Sequence, residues 1–432
     1  MTDSTGSPRC SILTAVTIVT QRGIGSVYGT SRDRPFDRWF RYPAGFSPDA
    51  LALAAAAVND SGPIVDPFFG SGATAVGLAG RSLVGIETHP LIADLAATKL
   101  AEAPGSPDQL RHAAAALVDT ALAAPADPTR EHHLVQRCFN ASILAQLGGL
   151  RDALASDACN PWGRYLRWAL LGTLRDVASV KVGWPYQRPA LDREAPYRDA
   201  VARMFNRVGM IADDLGAPQL KPTGRVVRGD ARSAATWRRA AASARFAGCV
   251  TSPPYLNNFD YADATRLELY FLKTVSTWRE MCAEVRAGMV VATTQQSARA
   301  RADRAIASLK KRRGIGPELD SLTRQLRAER ERRERGKEYD QVLPAYFADL
   351  LRVLSHLHRH TSSGATCAWV IGDSAPYGVY VDTPRLVGEL AGEVGFELGD
   401  DVTVRSRGLR WRKNGSRHQV PLTERLITFR RP

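Results

Sequence analysis

The tightest constraint on this chain is a strand, a glycine loop, a helix and a second strand that follow one another between Gly62 and Glu87. Gly62-Pro-Ile-Val-Asp66 reads as a buried strand, Pro67-Phe-Phe-Gly-Ser-Gly72 as the loop, Ala73 to Gly80 as a helix of small residues, and Ser82-Leu-Val-Gly-Ile-Glu87 as the next strand. Strands joined by a helix run parallel, so the pattern predicts a βαβ crossover and a doubly wound, Rossmann-like α/β sheet. Strand patterns return at 224–229 and 246–250, then at 365–371, about 401–405 and 422–430, with helices expected over 261–274, 343–358 and 384–394. Between them the chain divides into an arm (1–30), a discontinuous catalytic region (31–100, 222–275 and 340–432), an Ala- and Leu-rich helical insertion (101–221) and a basic helical insertion (276–339). Insertions of this kind are where target recognition resides in a loop-built site, and 101–221 is the candidate.

The glycine loop excludes several ligands. It lacks the lysine-bearing half of a phosphate-binding P-loop, and Ala75 stands where a dinucleotide fingerprint prefers its third glycine. Glu87 closes the second strand 21 positions after Asp66, near the spacing that sets an acid on a ribose hydroxyl. An adenosyl cofactor without phosphates to cradle, S-adenosyl-L-methionine, fits best.

A second constellation, Thr251-Ser-Pro-Pro-Tyr255, leaves the strand that ends at Val250. Two prolines keep this segment extended and leave the Ser252 and Pro253 carbonyls without ladder partners. A hydroxyl, exposed carbonyls and an aromatic ring suit the exocyclic amino group of a planar base.

Together these segments resemble the DNA amino-methyltransferases that modify N4 of cytosine or N6 of adenine. Asp66-Pro-Phe-Phe-Gly-Ser-Gly72 is similar to the family's cofactor loop, Thr251-Ser-Pro-Pro-Tyr255 to its catalytic loop, and Arg38-Trp-Phe-Arg-Tyr-Pro-Ala-Gly-Phe46 to the segment that completes the cofactor pocket. The resemblance covers about 30–100 and 224–275 and, more loosely, 340–432. It implies a methyltransferase sheet that binds S-adenosylmethionine through Tyr42, Pro43, Asp66, Pro67, Phe68, Gly70, Ser71, Gly72, Glu87, Asp230 and Ala231. Ser252, Pro253, Pro254 and Tyr255 are the implied catalytic set, with Tyr255 stacking on a flipped base. The S-P-P-Y form points to cytosine N4; adenine N6, an RNA base amino group and a non-catalytic DNA-binding role are the alternatives. The order, cofactor loop first, departs from the arrangement in which S-P-P-Y leads. The chain contains no Pro-Cys step, which disfavours C5 methylation.

Charge agrees with a polyanionic partner: 58 Lys and Arg against 44 Asp and Glu leave +14. Arg299 to Lys337 holds 14 basic and 6 acidic residues. It is read as a contact to the backbone of double-stranded DNA, with a salt-bridged solvated helix as the alternative. A cognate restriction or defence partner follows from the same reading. A balance of 44% hydrophobic and 24% charged residues excludes a wholly disordered chain. Six dispersed cysteines without a C-x-x-C pair suggest neither a zinc ribbon nor a redox dithiol, and fit reduced thiols in a cytoplasm. The apolar run Ser11 to Thr20 is about half a membrane span and reads as a strand or arm, so no membrane association is expected. His356 and His360 share a helical face without a carboxylate at ligand spacing, so no metal site is assigned. Asn257, Asn258, Asp260, Tyr261 and Asp263 are candidates for the base pocket, and Trp39 and Phe68 for packing on the cofactor adenine, with core packing as the alternative.

Overall fold

The computed structural model describes residues 34–42, 46–58, 61–179, 196–217, 221–256, 260–293, 298–312, 314–407 and 420–432. The expected arm, Pro43, Asn257 and Asn258 lie outside the described residues.

Seven strands form one sheet in the order β3-β2-β1-β4-β5-β7-β6: β1 Ile64–Asp66, β2 Leu83–Glu87, β3 Arg225–Arg228, β4 Phe246–Thr251, β5 Thr361–Gly372, β6 Glu397–Arg407 and β7 Leu422–Arg430. The first five run parallel, with Val65 facing both Val84 and Cys249, and Cys249 facing Cys367. β7 is antiparallel to both β5 and β6. This is the open, doubly wound, Rossmann-like sheet with helical insertions that the sequence predicts.

The central strands are short and apolar because helices cover both of their faces. Val65, Ile86, Trp369 and Phe429 point into one core under the helices Tyr339–His360 and Thr383–Val394. Ile64, Leu83, Val250 and Val370 point into the other, against the helix Pro48–Ala56. The period of two that sends neighbouring residues to opposite faces is thus satisfied on both sides.

A third core belongs to the helices Pro107–Ala123, Ala141–Ser156, Gly163–Val177 and Ala200–Leu215, and it takes in Phe36, Trp39, Phe40 and residues 262–289. Residues 276–339 are divided between two cores. Their first part packs on this helical block, while the helices Arg299–Leu309 and Gly316–Glu331 pack on Tyr339–His360.

The helix expected over 261–274 is broken. A 3-10 turn, Asp263–Thr265, precedes a short helix, Arg266–Phe271, because buried Asp260 accepts from the Ala262 and Asp263 amides and fixes a tight turn there. The helix Tyr339–His360 starts ahead of the predicted 343 and contains Pro344.

Cys138, Cys159, Cys249, Cys282 and Cys367 are free thiols. No described helix is long and apolar enough to cross a membrane. Among the described residues no cluster of three or more His, Cys, Asp or Glu is placed for a metal. His356 and His360 instead stack on Trp237, 6.2 and 5.7 Å between ring centroids.

Candidate active site

In an open α/β sheet the ligand crevice lies beyond the carboxyl ends of the strands, where the strand order reverses. Here that point falls between β1 and β4, and both predicted loops leave from it. They are joined directly. Thr251 Oγ donates to Asp66 Oδ1 across 2.5 Å, the same oxygen accepts from the Phe68 amide at 3.0 Å, and Oδ2 accepts from the Thr74 hydroxyl.

Asp66 is 1% exposed, and burial lifts its carboxyl from an ordinary 3.8 to about 6. Its hydrogen bonds therefore bind the end of β1, the helix after the glycine loop and the end of β4 into one unit. Sequence reasoning placed Asp66 on the cofactor; the structure gives both of its oxygens to the protein.

The glycine loop is shaped from beneath. Gly70 and Gly72 take φ values of 53° and 82°, a region that L side chains avoid. Phe69 lies buried against Gly85, where an added Cβ would come within 2.1 Å of the ring. Pro67 is buried, and half-buried Phe68 meets Trp369 edge-on at 6.1 Å. The Ser71 carbonyl accepts from Lys99 Nζ at 2.8 Å, and Lys99 also pairs with Asp37 at 3.2 Å. Lys99 is buried, which lowers its pKa despite that partner.

Glu87 Oε2 accepts from the Gly70 amide at 2.8 Å and Oε1 from the His89 amide at 2.7 Å. Burial pushes its carboxyl up to about 7. Glu87 thus bonds the glycine loop, a contact that the sequence reading of a ribose-binding acid did not include, and it stays half-buried rather than sealed. His89 is fully buried and bonds Thr265 at 2.7 Å, and burial pushes it down to about 3, so it is neutral.

Tyr42 packs edge-on to His89 at 6.5 Å and lies 6.4 Å from Tyr261. Burial and the nearby Glu87 raise its phenol well above 10. The segment before β1, the end of β2 and the chain after β4 thus meet around one wall.

That wall is held by residues with no local sequence signature. Asp214 accepts from the Phe36 amide, Arg38 and the Trp39 indole at 2.5 to 3.2 Å, which makes Trp39 a core residue and removes it from the cofactor-packing candidates. Arg175 donates to Glu268 at 2.5 Å and to the Ala264 carbonyl at 3.1 Å, bonds the Arg41 carbonyl, and lies 3.7 Å over the Phe40 ring.

On the third strand, Asp230 is already engaged. Its carboxylate takes a bidentate pair from Arg232, whose other arm reaches Asp349 at 2.9 Å. A free acceptor for a cofactor adenine is therefore not what Asp230 presents. Ala231 is buried, with its carbonyl bonded to Trp237 Nε1 at 2.7 Å.

In the catalytic loop, the Ser252 and Pro253 carbonyls take no hydrogen bond from a described residue, whereas the Pro254 carbonyl accepts from Tyr346 at 2.9 Å. The Tyr255 hydroxyl donates to Glu424 Oε1 at 2.5 Å and receives a long bond from Ser252 Oγ at 3.4 Å. Burial and Glu424 raise this phenol well above 10. The Arg407 guanidinium covers one face of the Tyr255 ring at 4.9 Å. Asp260 is buried in a pair with Arg286, and Asp263 pairs with Arg266 at 3.2 Å; neither is an open base-pocket acceptor.

Among the described residues, eight bases of the run Arg299 to Lys337 are ion-paired, with five carboxylates of which three lie outside it. Lys310 and Arg324 pair with Asp320, Arg312 with Glu393, Arg327 and Arg330 with Asp340, Arg301 with Asp349, and Arg332 and Arg333 with Glu329. The five carboxylates are fewer than the eight bases they serve, so these pairs offset only part of the run's charge. A cavity bordered by Arg245, His358, Arg359 and Arg431 opens near the amino ends of β4 and β5, away from both loops.

No family model matches the chain, and no curated protein matches it. Among solved structures it is similar to the rRNA methyltransferase aviRa from Streptomyces viridochromogenes, at 9% identity and a TM-score of 0.30, over 93% of this chain and 90% of that one. The fold assignment rests on strand order and register.

Proposed function

We propose that this chain is an S-adenosylmethionine-dependent methyltransferase acting on an exocyclic base amino group of double-stranded DNA, with N4 of cytosine as the position. The observation that carries the reading is the Thr251 to Asp66 hydrogen bond at the switch point. It sets a glycine loop suited to an adenosyl ligand beside a loop whose Ser252 and Pro253 carbonyls accept from no described residue.

The residues fit the cofactor in part. Gly70 has nothing within 4 Å of where a Cβ would stand, half-buried Glu87 supplies a carboxylate for ribose hydroxyls, and Tyr42 walls the same end. Pro67 and Ala231 are buried and contribute backbone shape. Asp66 and Asp230 act one step back, by holding loops. When bound, S-adenosylmethionine supplies an electrophilic methyl group.

The rest falls to the chain. An aromatic amino nitrogen is a poor nucleophile because its lone pair is delocalised into the ring. Acceptors on its two hydrogens favour a more tetrahedral nitrogen whose lone pair can attack. We propose this role for the Pro253 carbonyl and Ser252, with the prolines fixing their direction and Tyr255 supporting the ring plane. The expected restriction or defence partner belongs to the same reading.

The test incubates the protein with labelled S-adenosylmethionine and duplex DNA of mixed sequence, followed by nucleoside mass spectrometry. N4-methylcytosine is expected. N6-methyladenine would overturn the base assignment, label in RNA alone would overturn the substrate, and no calorimetric cofactor binding by a folded sample would refute the enzyme.

A further inference from the structure

We infer that Glu424 is the terminal proton acceptor of the transfer reaction, reached from the reacting amino group through the hydroxyls of Ser252 and Tyr255. The inference rests on the proposed function and adds a residue that neither motif contains.

The hydrogen bonds run in one direction. Ser252 Oγ donates to the Tyr255 oxygen at 3.4 Å, and the Tyr255 hydroxyl donates to Glu424 Oε1 at 2.5 Å. The second distance is that of a charge-assisted O–H···O⁻ bond. Glu424 stands on β7 opposite Gly372, the last residue of β5, which brings it to the carboxyl end of the parallel strands. It is 6% exposed, and Arg405 on the neighbouring strand pairs with its other oxygen.

A buried carboxylate at this place demands a reason, because desolvation penalises it and two apolar residues would serve the sheet as well. Anchoring the tyrosine is one consequence of the pair. It does not explain why the anchor is an anion and why a hydroxyl at the catalytic loop leads into it.

The chemistry supplies the reason. As the amino nitrogen bonds to the methyl carbon, the carbon–sulfur bond breaks and its electron pair stays on sulfur as a neutral thioether. The nitrogen then carries a positive charge and must lose a proton. That proton moves to Ser252 Oγ, the serine proton to the Tyr255 oxygen, and the tyrosine proton to Glu424, which becomes a neutral acid. Each hydroxyl gives one proton as it receives one, so neither needs to ionise. Glu424 returns its proton to water on product release.

The test compares wild type, Glu424→Gln and Tyr255→Phe. Glutamine keeps the shape and the acceptor facing Tyr255 but takes no proton; phenylalanine keeps the ring and cuts the relay. Each change is expected to lower kcat about 100-fold, the lower end for acid–base groups, with KM for cofactor and nucleic acid unchanged. The double variant should lose no more than either single one, since both interrupt one path.

A second reading uses the protein without ligands. The Tyr255 hydroxyl proton should resonate far downfield by NMR, and both substitutions should abolish that signal. An active wild type beside a Glu424→Gln or Tyr255→Phe variant with unchanged kcat, or the absence of the downfield proton, overturns the relay alone. A Glu424→Gln variant whose lower kcat comes with weakened substrate binding and a parallel drop in melting temperature would make Glu424 a structural anchor and also overturn it. A wild type that methylates no nucleic acid overturns the proposed function together with the relay.

Discussion

Replacing Asp66 with asparagine tests whether this carboxylate is a buried clasp. Its carboxyl is lifted from an ordinary 3.8 to about 6 by burial, a shift of roughly 2 units, worth about 3 kcal/mol at about 1.4 kcal/mol per unit. The folded chain binds this proton more tightly than the unfolded chain. Its contribution is therefore most favourable below about pH 4 and is lost as pH rises through about 6. Asparagine has no such proton. Its carbonyl can still accept from Phe68 and Thr251, and its amide can donate to the Thr74 hydroxyl in place of the bond Asp66 receives there. Relative to wild type, Asp66→Asn should therefore gain about 3 kcal/mol between about pH 3.5 and about pH 7.5. Urea unfolding of both proteins across this range measures the difference directly, free of the pH dependence they share. Stability curves that stay parallel would refute the burial argument, as would a difference that grows toward acid.

Other perturbations separate the remaining pieces. Glu87→Gln should weaken S-adenosylmethionine binding about tenfold above neutrality, one hydrogen bond to a charged group. Wild-type affinity should rise through about pH 7 as this carboxyl ionises, while the variant stays flat by calorimetry. Gly85→Ala would drive a methyl group into Phe69 at 2.1 Å; about 1–3 kcal/mol of stability should be lost in thermal melts, together with cofactor affinity, because the glycine loop lies on that ring. Arg175→Ala leaves Glu268, 0% exposed, without its cation. Denaturant unfolding should show a loss of about 3–5 kcal/mol, and a loss below about 1 kcal/mol would show that Arg175 is not the tie described.

The sheet was legible because its evidence is local. A strand, a glycine loop and a second strand within 62–87 fix a parallel crossover whatever the rest of the chain does, and the loop at 251–255 advertises itself through two prolines. The antiparallel pairing of β7 between β5 and β6 has no such local mark. Nor do the polar residues that set the site. Asp214, Arg175 and Glu424 reach Phe36, Glu268 and Tyr255 across 178, 93 and 169 positions, and each stands in a helix or strand where its residue type is ordinary. Lys99 is the exception, since a lone lysine in the apolar helix Pro90–Leu100 is a signal of a buried partner. Asp66 and Asp230 show a different limit: the sequence locates them at the end of β1 and just beyond β3, but gives no sign of the amides, hydroxyls and guanidinium that engage their oxygens.

Among the described residues, the ties of the helical block 107–215 to its surroundings include Asp214 to residues 36–39, Arg175 to residues 41 and 264–268, Arg207 to the Arg38 carbonyl, Arg151 to the Phe271 carbonyl, and Trp168 to Asp94 in the helix after β2. The block is therefore a keystone rather than an attachment. Exchanging it would leave the Phe36 amide and the Trp39 indole without these acceptors and Glu268 without its cation. A chimera that keeps these ties must carry 34–42 and 260–289 along with the block, so the block and the wall around Tyr42 can be re-engineered only as a joint unit.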